Sequence, residues 1–198
     1  MGKSEDTRNK IIHAAVSLAK KQGPEKVSVK DIYEEAGISK NTFYQYFENK
    51  EGAFGGTFTT SDEEKVAALP EILLNFDSPL EQFWELSKID IKRQMSFGPK
   101  LLGTIAMQNV LQNTFYFETE GKLSASVNIT LSMIKKMQRS KEIHNMTDPF
   151  ILLRTIYSAV IGIDIRWTKM EGKFDFKQEV YLQTMAILQP VKEISNYE

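Results

Sequence analysis

From residue 4 to residue 22 apolar side chains return every three or four positions, with Ile11, Ala15 and Leu18 on one side of a helix that ends at Gly23-Pro24. The next pattern is shorter. Val29, Ile32, Tyr33 and Ala36 keep helical spacing behind Ser28, whose hydroxyl can cap the free amides of a first turn. Gly37 supplies the positive φ that ends such a helix without a Cβ clash, and Ser39 starts another at once, with Ile38 buried between the two. Two short helices meeting at a tight Ala36-Gly37-Ile38 turn predict a helix-turn-helix.

Beyond it the punctuation stays helical. A fourth helix is expected from Lys50 to Ala68, before Pro70. Ser78-Pro79-Leu80-Glu81 reads as a capping box whose helix stops near Phe97-Gly98-Pro99, and another starts at Pro99 and carries through Met107 and Leu111. Leu123, Val127, Leu131 and Ile134 mark the next. Asp148-Pro149 opens a long helix that Gly172 closes, and Asp175 with Gln178 caps the last, before Pro190. The pattern predicts an all-α chain of about nine helices: an amino-terminal three-helix domain over residues 1–50 and a larger helical domain over 51–198.

Projected at about 100° per residue, the helix from Ser39 to Phe47 separates two jobs. Phe43 and Phe47, four apart, point to the core, while Asn41 and Gln45 lie opposite, flanked by Thr42, Tyr44 and Tyr46. Asn and Gln can each pair bidentately with adenine in the major groove, and Thr can touch a thymine methyl. Tyr44, Tyr46, Lys40 and Lys50 are of the types that hold phosphates and so set register. An ordinary solvated helix face shares much of this composition.

Charge narrows the picture. The whole chain of 198 residues has a formal net charge of −1, and residues 1–50 hold nine Lys and Arg against seven Asp and Glu, so attraction to phosphate rests on local placement. The chain has no cysteine, which removes disulfides, thiol catalysis and Cys-based metal sites. The amino terminus lacks the apolar core of a signal peptide, and no apolar run reaches the roughly 20 residues a bilayer span needs. A cytoplasmic protein is expected, with no membrane partner. Only His13 and His144 are present, and no metalloprotease, phosphate-loop or dinucleotide motif appears. No enzyme activity, metal or cofactor is expected.

Thr7-Arg8 with Ile11, Ala14, Ala15, Leu18 and Gly23, then Val27-Ser28-Val29, Ile32, Ala36-Gly37-Ile38-Ser39, Thr42-Phe43-Tyr44, Tyr46-Phe47 and Asn49-Lys50-Glu51, together resemble the amino-terminal domain of TetR/AcrR-type transcriptional regulators. The resemblance implies a DNA-binding surface made of Ser28, Lys40, Asn41, Thr42, Tyr44, Gln45, Tyr46 and Lys50. Asn41 stands where a Gly is common and Tyr46 where His is common. Gly52, Gly55 and Gly56 depart from the usual leucines and alanines; they either soften the start of the fourth helix or permit close packing there.

The resemblance further implies a homodimer on a double-stranded, pseudo-palindromic operator, and a small-molecule effector that relieves repression. Leu153, Ile156, Val160 and Ile163 form a three-four seam, with Val180, Thr184 and Ile187 a matching stripe on the last helix. Such stripes face either their own core or, as in the family, a second subunit. Trp84, Met107, Phe115, Met133, Tyr157 and Trp167 suit an adaptable apolar pocket and equally suit core filling. Asp164, inside an apolar run, is a candidate ligand contact, a partner for Arg166 or for a neighbouring helix, or an exposed carboxylate; Asp90 shares that ambiguity. The alternative function is an all-helical interaction module whose helix-turn-helix does not read DNA.

Overall fold

The computed structural model describes residues 3–111 and 123–194. Among them are nine α-helices and no strand: α1 (Lys3–Gln22), α2 (Val29–Glu35), α3 (Lys40–Tyr46), α4 (Lys50–Gly55), α5 (Thr57–Asn75), α6 (Pro79–Leu111), α7 (Ala125–Arg139), α8 (Pro149–Lys169) and α9 (Phe176–Leu188). One isolated antiparallel bridge, Ile143 to Pro190, ties the α7–α8 turn to the end of α9. No helix among the described residues is long and apolar enough to cross a membrane.

The caps expected at Ser28, Ser39, Asp148 and Asp175 form, and Asn49 and Ser124 add two that the sequence reading did not name. The Ser78 hydroxyl accepts the Glu81 amide at 3.3 Å while donating to Glu142. Ser28 and Asp31 make a reciprocal capping box at the start of α2, and Ser39, Asn49, Ser124, Asp148 and Asp175 each accept a backbone amide at the start of their helices. At Gly37, φ 65° allows the Ile38 amide to reach the Tyr33 carbonyl at 3.0 Å and the Gly37 amide that of Glu34 at 3.1 Å, a Schellman closure.

The fourth helix differs from the sequence reading. The expected fourth helix is two, because the chain turns at Gly56, and α5 then runs through Pro70 to Asn75. Pro70 is exposed, so its missing N–H faces water and the ring is tolerated on the outer side. The expected stop at Phe97-Gly98-Pro99 and restart at Pro99 hold: α6 is two helical stretches that meet at a kink at Gly98, with φ 72° and ψ 164°.

Packing resolves into two cores. The first joins α1 to α4 through Ile11, Ala15, Ile32, Phe43 and Phe54, and it also takes in Leu101 and Ile105 from the second half of α6. The other fills the body between α5 and α9 around Trp84, Met137, Leu153 and Phe176. Phe97, just before the α6 break, packs against both. The reading head is therefore floored by a helix that belongs, in sequence, to the body.

Candidate nucleic-acid interface

The head presents α3 outward on an apolar base. Phe43 is fully buried and Phe47 nearly so, with ring centroids 6.1 Å apart, and the Arg8 guanidinium lies 5.3 Å over the Phe47 ring. The opposite side of α3 is open: Lys40, Asn41 and Gln45 are exposed, and Tyr44 is 49% exposed while its ring meets Phe43 edge-on. Asn41 and Gln45 thus share a solvent face with no hydrogen-bond partner among the described residues, the arrangement a groove reader needs.

The other expected contacts are partly occupied. Thr42 is half-buried, its hydroxyl 2.8 Å from that of Ser39. The Tyr46 hydroxyl donates to Ser4 Oγ at 3.3 Å, which brings the start of α1 to the end of α3. Ser28 donates its hydroxyl to Asp31 Oδ2 at 2.7 Å and its amide to the same oxygen at 2.8 Å. These bonds hold the Asp31 carboxyl below the ordinary carboxylate range, so a phosphate at Ser28 would face a fixed negative charge.

Lys50 requires a correction. Its ammonium donates to the carbonyls of Pro24, Glu25 and Val27 at 3.0, 3.3 and 2.8 Å, fastening the α1–α2 turn to the start of α4. Those carbonyls compete with any phosphate for its three donors. Sequence reasoning missed Ser4 and Arg8, whose roles arise from helices crossing, and Asp31, which the three-residue spacing from Ser28 to an acidic residue could have revealed as a capping box.

In the body, Trp84, Met133 and Trp167 are buried in one core, with Tyr157 packed against it. Trp84 stacks edge-on with Tyr181 at 5.0 Å, and the Trp167 indole N–H donates to the Phe174 carbonyl at 3.2 Å. Met107 does not join them. It is 54% exposed and lines an open groove of about 580 Å³ between head and body, together with Pro24, Glu25, Glu51, Gly103 and Ile165. Phe115 lies outside the described residues.

Asp164 is completely buried, and its partner is Gln94, not Arg166; Arg166 pairs with Glu179 at 2.9 Å and stacks over Phe174. Burial pushes the Asp164 carboxyl up to about 8, the Gln94 amide opposing only in part. Asp90 joins Lys65 and Arg93 in a partly buried ion cluster. The proposed subunit seam also turns out to face inward: Leu153, Ile156, Ile163, Val180 and Thr184 are buried in their own chain, and Val160 and Ile187 pack against the same core. The outward face of α8 carries Ile151, Thr155, Ser158, Gly162 and Ile165, and that of α9 carries Leu182 and Ala186.

The geometry has counterparts. Residues 11–54 match the family model described as bacterial regulatory proteins, tetR family. No curated protein sequence matches the chain. Among solved structures, Thermus thermophilus FadR, described as a TetR-family transcriptional repressor in complex with lauroyl-CoA, superposes with a TM-score of 0.70 at 15% identity, over 95% of this chain and 97% of that one. The fatty acid degradation regulator FadR of Bacillus halodurans gives 0.58 at 17% identity, over 95% and 96%. RolR in complex with resorcinol gives 0.58 at 18% identity, over 98% of both chains. Residues 11–54 thus form a domain of the tetR type found in bacterial regulatory proteins, and the chain as a whole shares the fold of these solved structures.

Proposed function

We propose that the protein is a repressor that binds a pseudo-palindromic operator as a homodimer and leaves it when a small-molecule effector occupies the body. One observation carries the reading: the Asn41 and Gln45 amides stand free on a face whose opposite side is anchored by Phe43 and Phe47. A single short helix reads few base pairs, so two heads related by a twofold axis, on half-sites about one helical turn or a multiple of it apart, give the needed specificity.

The outward faces of α8 and α9 suit the subunit contact. Ile151, Ile165 and Leu182 supply apolar area, and the small Thr155, Ser158 and Gly162 between them allow close helix approach. The neighbours bound to lauroyl-CoA and resorcinol support a body that takes an apolar or aromatic effector. Such an effector acts through its differential affinity for two head spacings, not through affinity as such.

Selection of bound sequences from random duplex DNA tests the proposal. The expected result is an inverted repeat with a fixed spacing, lost in the Asn41→Ala, Gln45→Ala double variant. A folded protein that enriches no sequence returns the reading to a protein-interaction module.

A further inference from the structure

The break in α6 is the joint of the molecule. Before it, Leu80, Trp84 and Ile91 pack in the body; after it, Leu101 and Ile105 pack in the head while Leu102 between them stays in the body core. Gly98 supplies the left-handed φ of 72°, and Pro99, with no N–H, cannot restore the backbone ladder there.

Helix α8 holds both sides of this break. Four residues before Gly98, Gln94 Nε2 donates to the two carboxyl oxygens of Asp164, at 3.3 Å each. One turn along α8, Thr168 Oγ1 lies 2.8 Å from the Pro99 carbonyl and 2.8 Å from that of Asp164. Gly103 lets α8 come this close: a Cβ there would sit 2.4 Å from Thr168 Cγ2. Two side chains a turn apart on one helix therefore span the discontinuity in the other.

Among the described residues Asp164 has no ion-pair partner. On its own helix Arg166 is spent on Glu179 and Phe174. From α6 and α5, Arg93 and Lys65 close on Asp90, while Lys100 pairs with Glu25 at the surface. Lys20 of α1 bonds Ser96 and covers Phe97, and Lys135, Lys136 and Arg139 of α7 are exposed. Tyr157 of α8 faces the Lys65 and Asp90 pair, and Glu179 of α9 faces Arg166.

We propose that Asp164 is a proton-operated latch on the head–body joint, closed when the carboxyl is neutral and opened when it gives its proton to solvent. In the neutral form the acid packs in the apolar interior and α8 stays closed over Gly98-Pro99. Its displaced carboxyl titration, up to about 8, places the change within reach of mildly alkaline conditions. Ionisation leaves a buried charge with one amide partner, which favours moving α8 away from Gln94 and letting water in. The two halves of α6 then lose the shared clamp that sets their angle, and the head loses its fixed pose. The link to operator release rests on the proposed repressor function; the latch itself does not.

Amide hydrogen exchange on the full chain without DNA, corrected for intrinsic rates, tests it between pH 6.5 and 9. Protection over residues 95–105 is expected to fall at least tenfold in the wild type as pH rises from 7 to 9. Asp164→Asn, neutral at every pH and still able to accept from Gln94, should remove that dependence. Thr168→Val should lower protection at all pH values. A wild type that is flat from pH 7 to 9, or an Asp164→Asn variant that follows the wild type, overturns the latch. Should Asp164→Asn not fold, carbon NMR of the wild-type aspartates decides: one carboxyl titrating near pH 8 supports the proposal, and none above pH 6 overturns it. Operator selection can fail while these results stand, so the two readings are tested separately.

Discussion

With three carbonyls around its ammonium, Lys50 has a duty inside the head that its place after the recognition helix did not reveal. Lys50→Met should lower stability by about 2 kcal/mol, since bonds to a charged donor are worth more than neutral ones; the urea midpoint measures this. An unchanged midpoint with uniformly weaker DNA binding would restore a phosphate role. Gln45→Ala should instead cost about 1–3 kcal/mol at particular base pairs and leave stability alone, as competition binding on single-base operator variants would show. For Asp164 the folded value lies above the unfolded one, so the native state keeps a proton that the unfolded chain sheds. The Asp164 contribution to stability is therefore fully present below about pH 4, erodes as pH rises and is lost once pH passes about 8, a span worth roughly 6 kcal/mol. Thermal melts from pH 5 to 9 should show this slope, and Asp164→Asn should flatten it. Phe43 and Phe47 were readable because four-residue spacing dictates one face; Lys50 and Asp164 were not, because their partners come from other helices.

At the level of elements, Gly56 of the α4–α5 joint and Gly98 of α6 have different reasons to be glycine. A Cβ on Gly56 would lie 2.6 Å from Ile12 Cδ1, so close packing accounts for this glycine. Gly56→Ala should cost about 1–3 kcal/mol through overpacking against α1, whereas Gly98→Ala, with open space around its Cβ site, should cost about 1–2 kcal/mol through backbone strain alone. Denaturant titrations of both, and of Gly56→Ala with Ile12→Val, separate the two causes, because only the first is relieved by trimming Ile12. The α8 seam shows what periodicity leaves open. A three-four repeat identifies residues sharing a face, but Ile151 and Ile165 make the opposite face apolar too, so spacing could not decide which one the chain buries in itself. Leu182→Arg on the outward face should convert dimer to monomer in sedimentation at micromolar concentration, while conservative changes at Leu153 should act on stability.

For the whole molecule, fold class and the helix-turn-helix were legible because caps and Gly/Pro breaks are local chemistry. The joint between head and body was legible as a stop at Phe97-Gly98-Pro99 with a helix restarting at Pro99; that this second stretch serves the head core as well as the body depends on packing between distant segments. This has a bearing on how such proteins exchange parts. A recombination event between residues 56 and 99 would deliver every helix of the DNA reader yet leave behind Leu101 and Ile105, two of its own buried side chains. A fragment ending at residue 56 should therefore show little cooperative melting by circular dichroism. A chimera placed on a foreign body should regain it only when residues 99–106 travel with the head, so inheritance of DNA specificity requires two separated stretches of the gene to move together.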